Sequence, residues 1–310
     1  MNFEFFYHMR LKFLLLFIFY TFLFLFYPGD SFHFHVFSYN RSLFNQKKVS
    51  EKIKISPLPY LKTQALPYSS AQGIYVVYLP SFTPILEKNS HQKFLPASTA
   101  KIISALVTFD IYKPDQIIEV KKTISDGQLM GLIPGEKITV ENLIYGLLIH
   151  SGNDAAYVLA QNFGYQKFVD LMNQKAKELK MNNTHFTDPA GLNEDSNQYT
   201  TPFDLALAAR VILNHPYLSK IVAIKEITVS DIDFKYFHHL VNVNKLLGEI
   251  PGVGGVKTGY TQEAGQNLVS FYKKNGHQFI IVILKSEDRF LDTENIIDWI
   301  EWNIDFLPLE

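Results

Sequence analysis

Three short polar motifs lie in order along this chain of 310 residues, and their residue types suit nucleophilic acyl transfer. They are Ser98-Thr99-Ala100-Lys101, Ser151-Gly152-Asn153 and Lys257-Thr258-Gly259. A serine hydroxyl attacks a carbonyl carbon once a base removes its proton, and a neutral lysine can be that base. Each motif alone is common by chance, so the prediction of a serine acyl-transfer site depends on finding all three together.

The first motif predicts a nucleophile and its base. Residues three apart on a helix share a face, so Lys101 is expected beside Ser98. An ordinary lysine has a pKa of about 10.4, and lowering it to about 7 or 8 takes about 4 kcal/mol of differential interaction. Burial and a second nearby cation can supply this, and Lys257 is the candidate cation. The first helical turn also offers free backbone N–H groups to a developing oxyanion.

The other two motifs predict a proton relay and a carboxylate clamp. Gly152 allows a tight turn between two helices, from which Ser151 could relay a proton and Asn153 could hold a substrate amide. Lys257 and Thr258 together make a plausible clamp for a terminal carboxylate. They follow a glycine-rich segment, residues 251–256, where backbone can approach a ligand closely.

The composition excludes several classes of function. The 29 Lys and Arg residues balance 30 Asp and Glu, so no basic surplus points to a nucleic-acid partner. The absence of cysteine excludes disulfides, thiolate zinc sites and a cysteine nucleophile. A hydrophobic content of 47% allows a full core.

The N-terminus predicts export from the cytoplasm. Arg10 and Lys12 precede an apolar run from Phe13 to Tyr27. At 1.5 Å per residue this run reaches roughly 22 Å, which is closer to a signal-peptide core than to a full span of ~30 Å. Because no small-x-small cleavage site follows, we expect residues 1–30 to be a retained membrane anchor, with a cleaved signal as the alternative. We expect residues 31–66 to be an extracytoplasmic tether and residues 67–310 the catalytic domain.

Periodicity predicts an α+β domain, a helical cluster packed on an antiparallel sheet. The predicted strands cover residues 73–79, 266–272 and 278–284, and Asn275-Gly276 predicts a tight hairpin between the last two. The predicted helices cover residues 98–112, 140–149, 154–163, 168–179, 201–213 and 292–304.

The three motifs together resemble the signature of the active-site serine penicillin-binding proteins and β-lactamases. Their flanks are most similar to the low-molecular-mass D-alanyl-D-alanine carboxypeptidases, and the resemblance spans about residues 66 to 290. The flanks that carry it are residues 95–102, 140–147, 151–156, 183–186, 189–192, 244–248 and 256–261.

This resemblance implies a β-lactamase/transpeptidase-like fold and a serine peptidase that removes the terminal D-alanine from peptidoglycan stem peptides. It implies no metal or cofactor. Ser98 would be the acylated nucleophile, which a β-lactam would also acylate, and Lys101 would be its base. The remaining roles would be the relay and amide contact (Ser151, Asn153), the carboxylate anchor (Lys257, Thr258, Gly259) and the oxyanion hole (backbone N–H of Ser98 and Tyr260).

Four alternatives stay open at this point. A D,D-endopeptidase that cuts peptide cross-links shares every motif. A class A β-lactamase needs a deacylating glutamate, for which Glu194 is the candidate, although it lacks the expected neighbours. A non-catalytic penicillin-binding sensor is disfavoured because no motif position is substituted. A metal-dependent peptidase could use His33 with His35 or His238 with His239, but neither pair has the i, i+4 spacing and acidic partner of such sites.

Overall fold

The computed structural model describes residues 12–22 and 57–307 of the chain. These parts belong to two compact units that divide between Ile55 and Ser56. The first unit is described as an exposed helix over residues 12–22. Among the described residues, no helix is both long enough and apolar enough to cross a bilayer. The rest of the predicted anchor and residues 31–56 of the predicted tether lie outside the described residues, so both stay predictions.

The second unit contains a five-stranded antiparallel sheet. The strands of this unit are, in chain order, β1 (Pro59–Leu61), β2 (Gly73–Tyr78), β3 (Thr83–Lys88), β4 (Ile117–Glu119), β5 (Lys137–Thr139), β6 (Glu226–Ser230), β7 (Phe237–Val241), β8 (Val253–Thr261), β9 (Gly265–Lys274), β10 (His277–Ser286) and β11 (Ile304–Phe306). The large sheet has the order β3-β2-β10-β9-β8, and β1-β11, β4-β5 and β6-β7 form two-stranded pairs. The third motif therefore lies on an edge strand, β8.

Helices cover both faces of this sheet. They are a 3-10 turn (Ala97–Ala100), α1 (Lys101–Ile111), α2 (Val140–Leu148), α3 (Asn153–Phe163), α4 (Tyr165–Glu178), α5 (Pro202–Asn214), α6 (Leu218–Val222) and α7 (Arg289–Asn303). Tyr75 and Val77 of β2 pack into the core shared with α1 to α6. The alternate residues Ile74 and Val76 pack into a second core with α7, because side chains alternate across a strand. The predicted α+β class is confirmed.

Local sequence signals account for several element boundaries. Asn275 and Gly276 have φ values of 50° and 84° and connect β9 to β10 as the predicted hairpin, because Asn and Gly tolerate positive φ. The Thr139 hydroxyl accepts from Asn142 N and caps α2. Thr201 caps α5 in the same way, and Pro202 follows in the first turn.

The domain boundary predicted at residue 67 is wrong for residues 57–66. Strand β1 pairs antiparallel with β11. Ile304, the predicted last residue of the C-terminal helix, belongs to β11 instead. The Thr63 amide and hydroxyl both donate to Asn303 Oδ1 at 2.8 Å. Trp299 Nε1 donates to the Ala65 carbonyl at 2.6 Å. These long-range contacts hold the segment on the domain, although its own composition is typical of a linker.

Candidate active site

Ser98 lies in the 3-10 turn that leads into α1 at Lys101. The prediction that an α-helix begins at Ser98 is wrong, since the α-helix begins at Lys101. The 3-10 geometry of the preceding turn still brings side chains three residues apart into line. Ala97 has φ 47°, a left-handed conformation that a non-glycine residue keeps only where its surroundings hold it. A Cβ at Gly191 would lie 1.9 Å from the Ala97 carbonyl oxygen, so the segment that supports this turn requires glycine there.

The Lys101 side chain is fully buried and reaches three hydrogen-bonding partners. Its Nζ lies 2.8 Å from Ser98 Oγ, 2.7 Å from Asn153 Oδ1 and 2.9 Å from the Ala190 carbonyl oxygen. The two carbonyl-type oxygens can only accept, so they take two N–H groups of the amine. A neutral amine then directs its lone pair at the Ser98 hydroxyl, which is the geometry that a general base needs.

Burial lowers the pKa of Lys101 to about 7, while the carboxylates of Asp188 and Asp154 oppose this shift. Removal from water disfavours the charged amine. The sequence prediction assigned part of this effect to the positive charge of Lys257. Burial, the other expected cause, is the largest one in the structure, and the two nearby carboxylates raise this pKa rather than lower it.

The second motif lies where α2 ends and α3 begins. Ser151 has φ 61°, and its Oγ accepts from Lys257 Nζ at 2.8 Å. Asn153 is the first residue of α3, and besides its contact with Lys101 its Nδ2 donates to the Asp126 carbonyl at 2.9 Å. An amide nitrogen carries two hydrogens, so one N–H of Asn153 remains for a ligand.

The third motif lies on β8 directly beside the Ser98 turn. Lys257 and Thr258 are buried, whereas the side chain of Tyr260 is 63% exposed. A Cβ at Gly259 would lie 3.1 Å from the Pro96 carbonyl oxygen and from the backbone nitrogens of Ser98 and Thr99. A Cβ at this distance would crowd both backbones, so glycine suits the close approach.

The pKa of Lys257 lies well below its ordinary value, through burial first and then through the positive charges of Lys101 and Arg289. The repulsion between the two buried amines therefore disfavours the state in which both are charged. Its Nζ donates to Ser151 Oγ and, at 3.0 Å, to the Thr258 carbonyl. The three motifs thus form one connected network from Ser98 to β8.

Arg289 is a cation at this site that the sequence analysis missed. It is the first residue of α7, and its Nη1 donates to the Gly259 carbonyl at 2.7 Å. Its Nε is buried without a hydrogen-bond partner among the described residues. Burial lowers its pKa, but a guanidinium stays protonated in proteins. No motif contains Arg289, because it reaches the third motif only through the packing of α7 on the sheet.

The described residues that would serve the alternative functions lie outside the hydrogen-bonded network of the three motifs. Glu194 accepts from Glu263 N at 3.1 Å, and hydrogen bonds from Thr261 and Glu263 lower its pKa. It is therefore an exposed carboxylate held at the β8–β9 turn. His238 is buried and His239 is exposed, and no metal-binding group of three or more side chains occurs among residues 12–22 and 57–307. His33 and His35 lie outside the described residues.

The fold and the motif network define a serine acyl-transfer enzyme, and comparison with known sequences defines its family. The family profile described as D-alanyl-D-alanine carboxypeptidase matches residues 62–288. The chain belongs to this family, as its motifs predicted.

Relatives with known names agree with this assignment. D-alanyl-D-alanine carboxypeptidase DacF of Bacillus subtilis is 36% identical over 208 residues, which are 64% of this chain and 53% of that protein. D-alanyl-D-alanine carboxypeptidase DacB2 of Mycobacterium tuberculosis is 31% identical over 223 residues, 71% of this chain and 76% of that protein. The match to DacF thus spans about half the length of that relative.

Solved structures share the fold. A mutant of the Streptomyces K15 DD-transpeptidase superposes with a TM-score of 0.72 at 29% identity, over 76% of this chain and 98% of that one. Penicillin-binding protein D2 of Listeria monocytogenes, in an ampicillin-bound form, gives a TM-score of 0.69 at 26% identity, over 76% and 99% of the two chains.

Proposed function

We propose that this protein is a serine-type D-alanyl-D-alanine carboxypeptidase, which removes the terminal D-alanine from peptidoglycan stem peptides through an acyl-enzyme on Ser98. The observation that carries the proposal is the pair formed by Ser98 and Lys101. A buried amine with a pKa of about 7 lies 2.8 Å from the serine hydroxyl. A base with a pKa near the working pH is the one that general-base catalysis favours.

In the acylation step, Lys101 Nζ takes the proton of Ser98 as Oγ attacks the carbonyl carbon of the penultimate D-alanine. The resulting oxyanion accepts hydrogen bonds from the backbone N–H groups of Ser98 and Tyr260. The close approach of Gly259 to the Ser98 turn, where a Cβ would lie 3.1 Å from Ser98 N, supports this assignment. The carbon–nitrogen bond then breaks, and the leaving amine of D-alanine takes a proton. The Ser151 hydroxyl, which accepts from Lys257 Nζ at 2.8 Å, donates that proton and takes in its place the proton that Lys101 received from Ser98. Lys101 is therefore neutral again in the acyl-enzyme.

In the deacylation step, a water molecule replaces the amine. Lys101 removes a proton from this water, whose oxygen attacks the acyl carbon and displaces Ser98 Oγ. The proton held by Lys101 returns to Ser98 Oγ, so the enzyme is restored. The products are free D-alanine and a stem peptide shortened by one residue, and no metal or cofactor takes part.

The terminal carboxylate of the substrate is bound at the β8 edge. Arg289, whose Nη1 donates to the Gly259 carbonyl at 2.7 Å, supplies a permanent positive charge there. The Thr258 hydroxyl and Lys257 add donors beside it. Because burial makes a charged Lys257 costly, carboxylate binding favours its protonation, and substrate binding and protonation of Lys257 reinforce each other.

Product analysis tests the substrate assignment. The protein is incubated separately with a pentapeptide ending in D-Ala-D-Ala, with a cross-linked peptide dimer, and with the pentapeptide plus an amino-acid amine as acceptor. The proposal predicts release of D-alanine as the main reaction. Preferential cleavage of the dimer would instead establish an endopeptidase, and a ligated product would establish the transpeptidase activity that the name of the Streptomyces relative suggests.

A β-lactam separates these activities from β-lactamase activity. We expect ampicillin to acylate Ser98 and to remain attached for many turnovers of the peptide reaction, since the carboxylate of Glu194 is held at the β8–β9 turn. Rapid multiple turnover of ampicillin would overturn this expectation. A Ser98 that is labelled by ampicillin while all peptides stay unchanged would favour the non-catalytic penicillin-binding role.

We propose that the N-terminal segment holds the domain on the outer side of the cytoplasmic membrane, where its substrate lies. The positive residues Arg10 and Lys12 before the apolar run support this orientation. Protease added to intact cells, followed by membrane fractionation, tests it. A membrane-bound, protease-accessible domain supports the proposal, a released one indicates cleavage, and a protected cytosolic one contradicts it.

A further inference from the structure

A buried ion pair outside the three motifs joins the β6–β7 hairpin to the loop that precedes β5. His238 of β7 places Nε2 2.7 Å from Glu136 Oε1, and both side chains are at most 5% exposed. The other imidazole nitrogen, Nδ1, lies 3.1 Å from the Met130 carbonyl oxygen. One side chain therefore contacts both ends of the segment 130–136.

Both nitrogens of His238 face acceptors, so the contacts require two N–H donors. The protonated imidazolium supplies them, and the titratable groups that face it are Glu136 from the loop and Asp154 from α3. The hydrogen bond to Glu136 raises the pKa of His238, and burial opposes this. Because the pKa is raised by folding, the interaction is fully present below pH about 6.5 and is lost as pH rises through the raised pKa.

The loop that His238 holds is the one that supports Asn153. Backbone bonds of 2.8 Å between Val120 and Glu136 and between Gly135 and Val120 close the loop at its base. Within it, the Gln128 carbonyl accepts from Asn153 N at 2.7 Å, and the Asp126 carbonyl accepts from Asn153 Nδ2.

Asp154, the neighbour of Asn153, also forms hydrogen bonds with this loop. Its carboxylate accepts from the backbone nitrogens of Met130, Gly131 and Leu132 at 2.9 to 3.0 Å. Met130 thus bonds to α3 through its N–H and to His238 through its carbonyl. His238 is therefore linked to Asn153, and through Asn153 Oδ1 to the base Lys101, by hydrogen bonds that join the adjacent groups Met130, Asp154 and Asn153.

We propose that His238, as an imidazolium paired with Glu136, is a positioning residue for acylation: it fixes the loop 120–136 and thereby the orientation of Asn153 against Lys101. It touches neither substrate nor nucleophile. The inference rests on the proposed acylation of Ser98. Failure of that proposal is recognised separately, because Ser98 would then stay unlabelled in every variant and at every pH.

The test compares the pH dependence of Ser98 acylation by ampicillin with the NMR titration of the His238 imidazole in the full chain. We expect the acylation rate to decline by about 10-fold at the pH where His238 loses its proton. His238→Asn keeps a donor for Met130 but not for Glu136, and we expect about 10-fold slower acylation at pH 6.5 without that decline. His239→Asn, the exposed neighbour on the same strand, is the matched control and should behave as wild type.

Glu136→Gln provides an independent test through the pH dependence of acylation. A purely structural role of the ion pair would not shift that dependence. Without the carboxylate the pKa of His238 falls, and the decline in acylation should shift to lower pH by the same amount. The proposal is overturned if the wild-type profile follows the titration of Lys101 alone, with no decline across the His238 titration, or if His238→Asn acylates at the wild-type rate with the wild-type profile. The wild-type comparison decides the question even if both variants fail to fold.

Discussion

Lowering the pH should slow acylation of Ser98 in proportion to the loss of neutral Lys101. With a pKa of about 7, half of the Lys101 amines are neutral at pH 7 and about 1% at pH 5, so the rate should fall about 50-fold between them. A lysine with the ordinary pKa of about 10.4 would be only about 0.04% neutral at pH 7. Burial thus raises the reactive fraction about 10³-fold, which corresponds to about 4 to 5 kcal/mol.

The assay is single-turnover labelling by a fluorescent penicillin at pH values from 5 to 9. The logarithm of the rate should rise with a slope near one up to about pH 7 and then level off, apart from the decline of about 10-fold expected where His238 loses its proton. Lys101→Ala should lower the rate at pH 7 by about 10²–10⁴-fold and abolish the slope, because the base is gone. Lys177→Ala removes an exposed lysine of α4 and should leave both unchanged. A midpoint above pH 9, or an unchanged rate in Lys101→Ala, would refute the assignment of the base.

Further substitutions probe the nucleophile, the carboxylate site and the β8 edge. Ser98→Ala should abolish penicillin labelling while circular dichroism stays unchanged, and persistent labelling would contradict its role. Arg289→Gln should lower kcat/KM at least 10-fold for a peptide with a free terminal carboxylate but not for its amide, so an equal loss for both would argue against carboxylate binding. Gly259→Ala should slow acylation at least 10-fold, because its Cβ would crowd the Ser98 backbone 3.1 Å away, and a wild-type rate would exclude that steric effect.

The catalytic motifs could be recognised in the sequence because the residues within each motif are close together along the chain. Ser98 and Lys101 are three residues apart, so any helical turn brings them together. The strand that carries Lys257 was harder to place, since its glycines weaken the strand signal, and its position at the sheet edge depends on pairing with β9. Arg289 was missed because only the packing of α7 on the sheet brings it to Gly259.

The predicted limits of the domain were wrong for a related reason. Strand β1 has three residues, and its partner β11 lies at the other end of the chain. Local composition carries no signal for such a pairing, since its stability comes from contacts between distant residues such as Thr63 and Asn303. Burial was expected among the causes of the low pKa of Lys101 and is the largest one, but the opposing carboxylates of Asp154 and Asp188 could not be placed without the packed domain.

The titration of Lys101 itself tests the central claim most directly. Carbon-13 NMR of the lysine Cε groups follows each amine, and the Lys101 signal is assigned by its loss in Lys101→Arg. This account predicts that the free enzyme shows a Lys101 amine that titrates near pH 7. An amine that stays protonated up to pH 10 would contradict the claim that Lys101 activates Ser98.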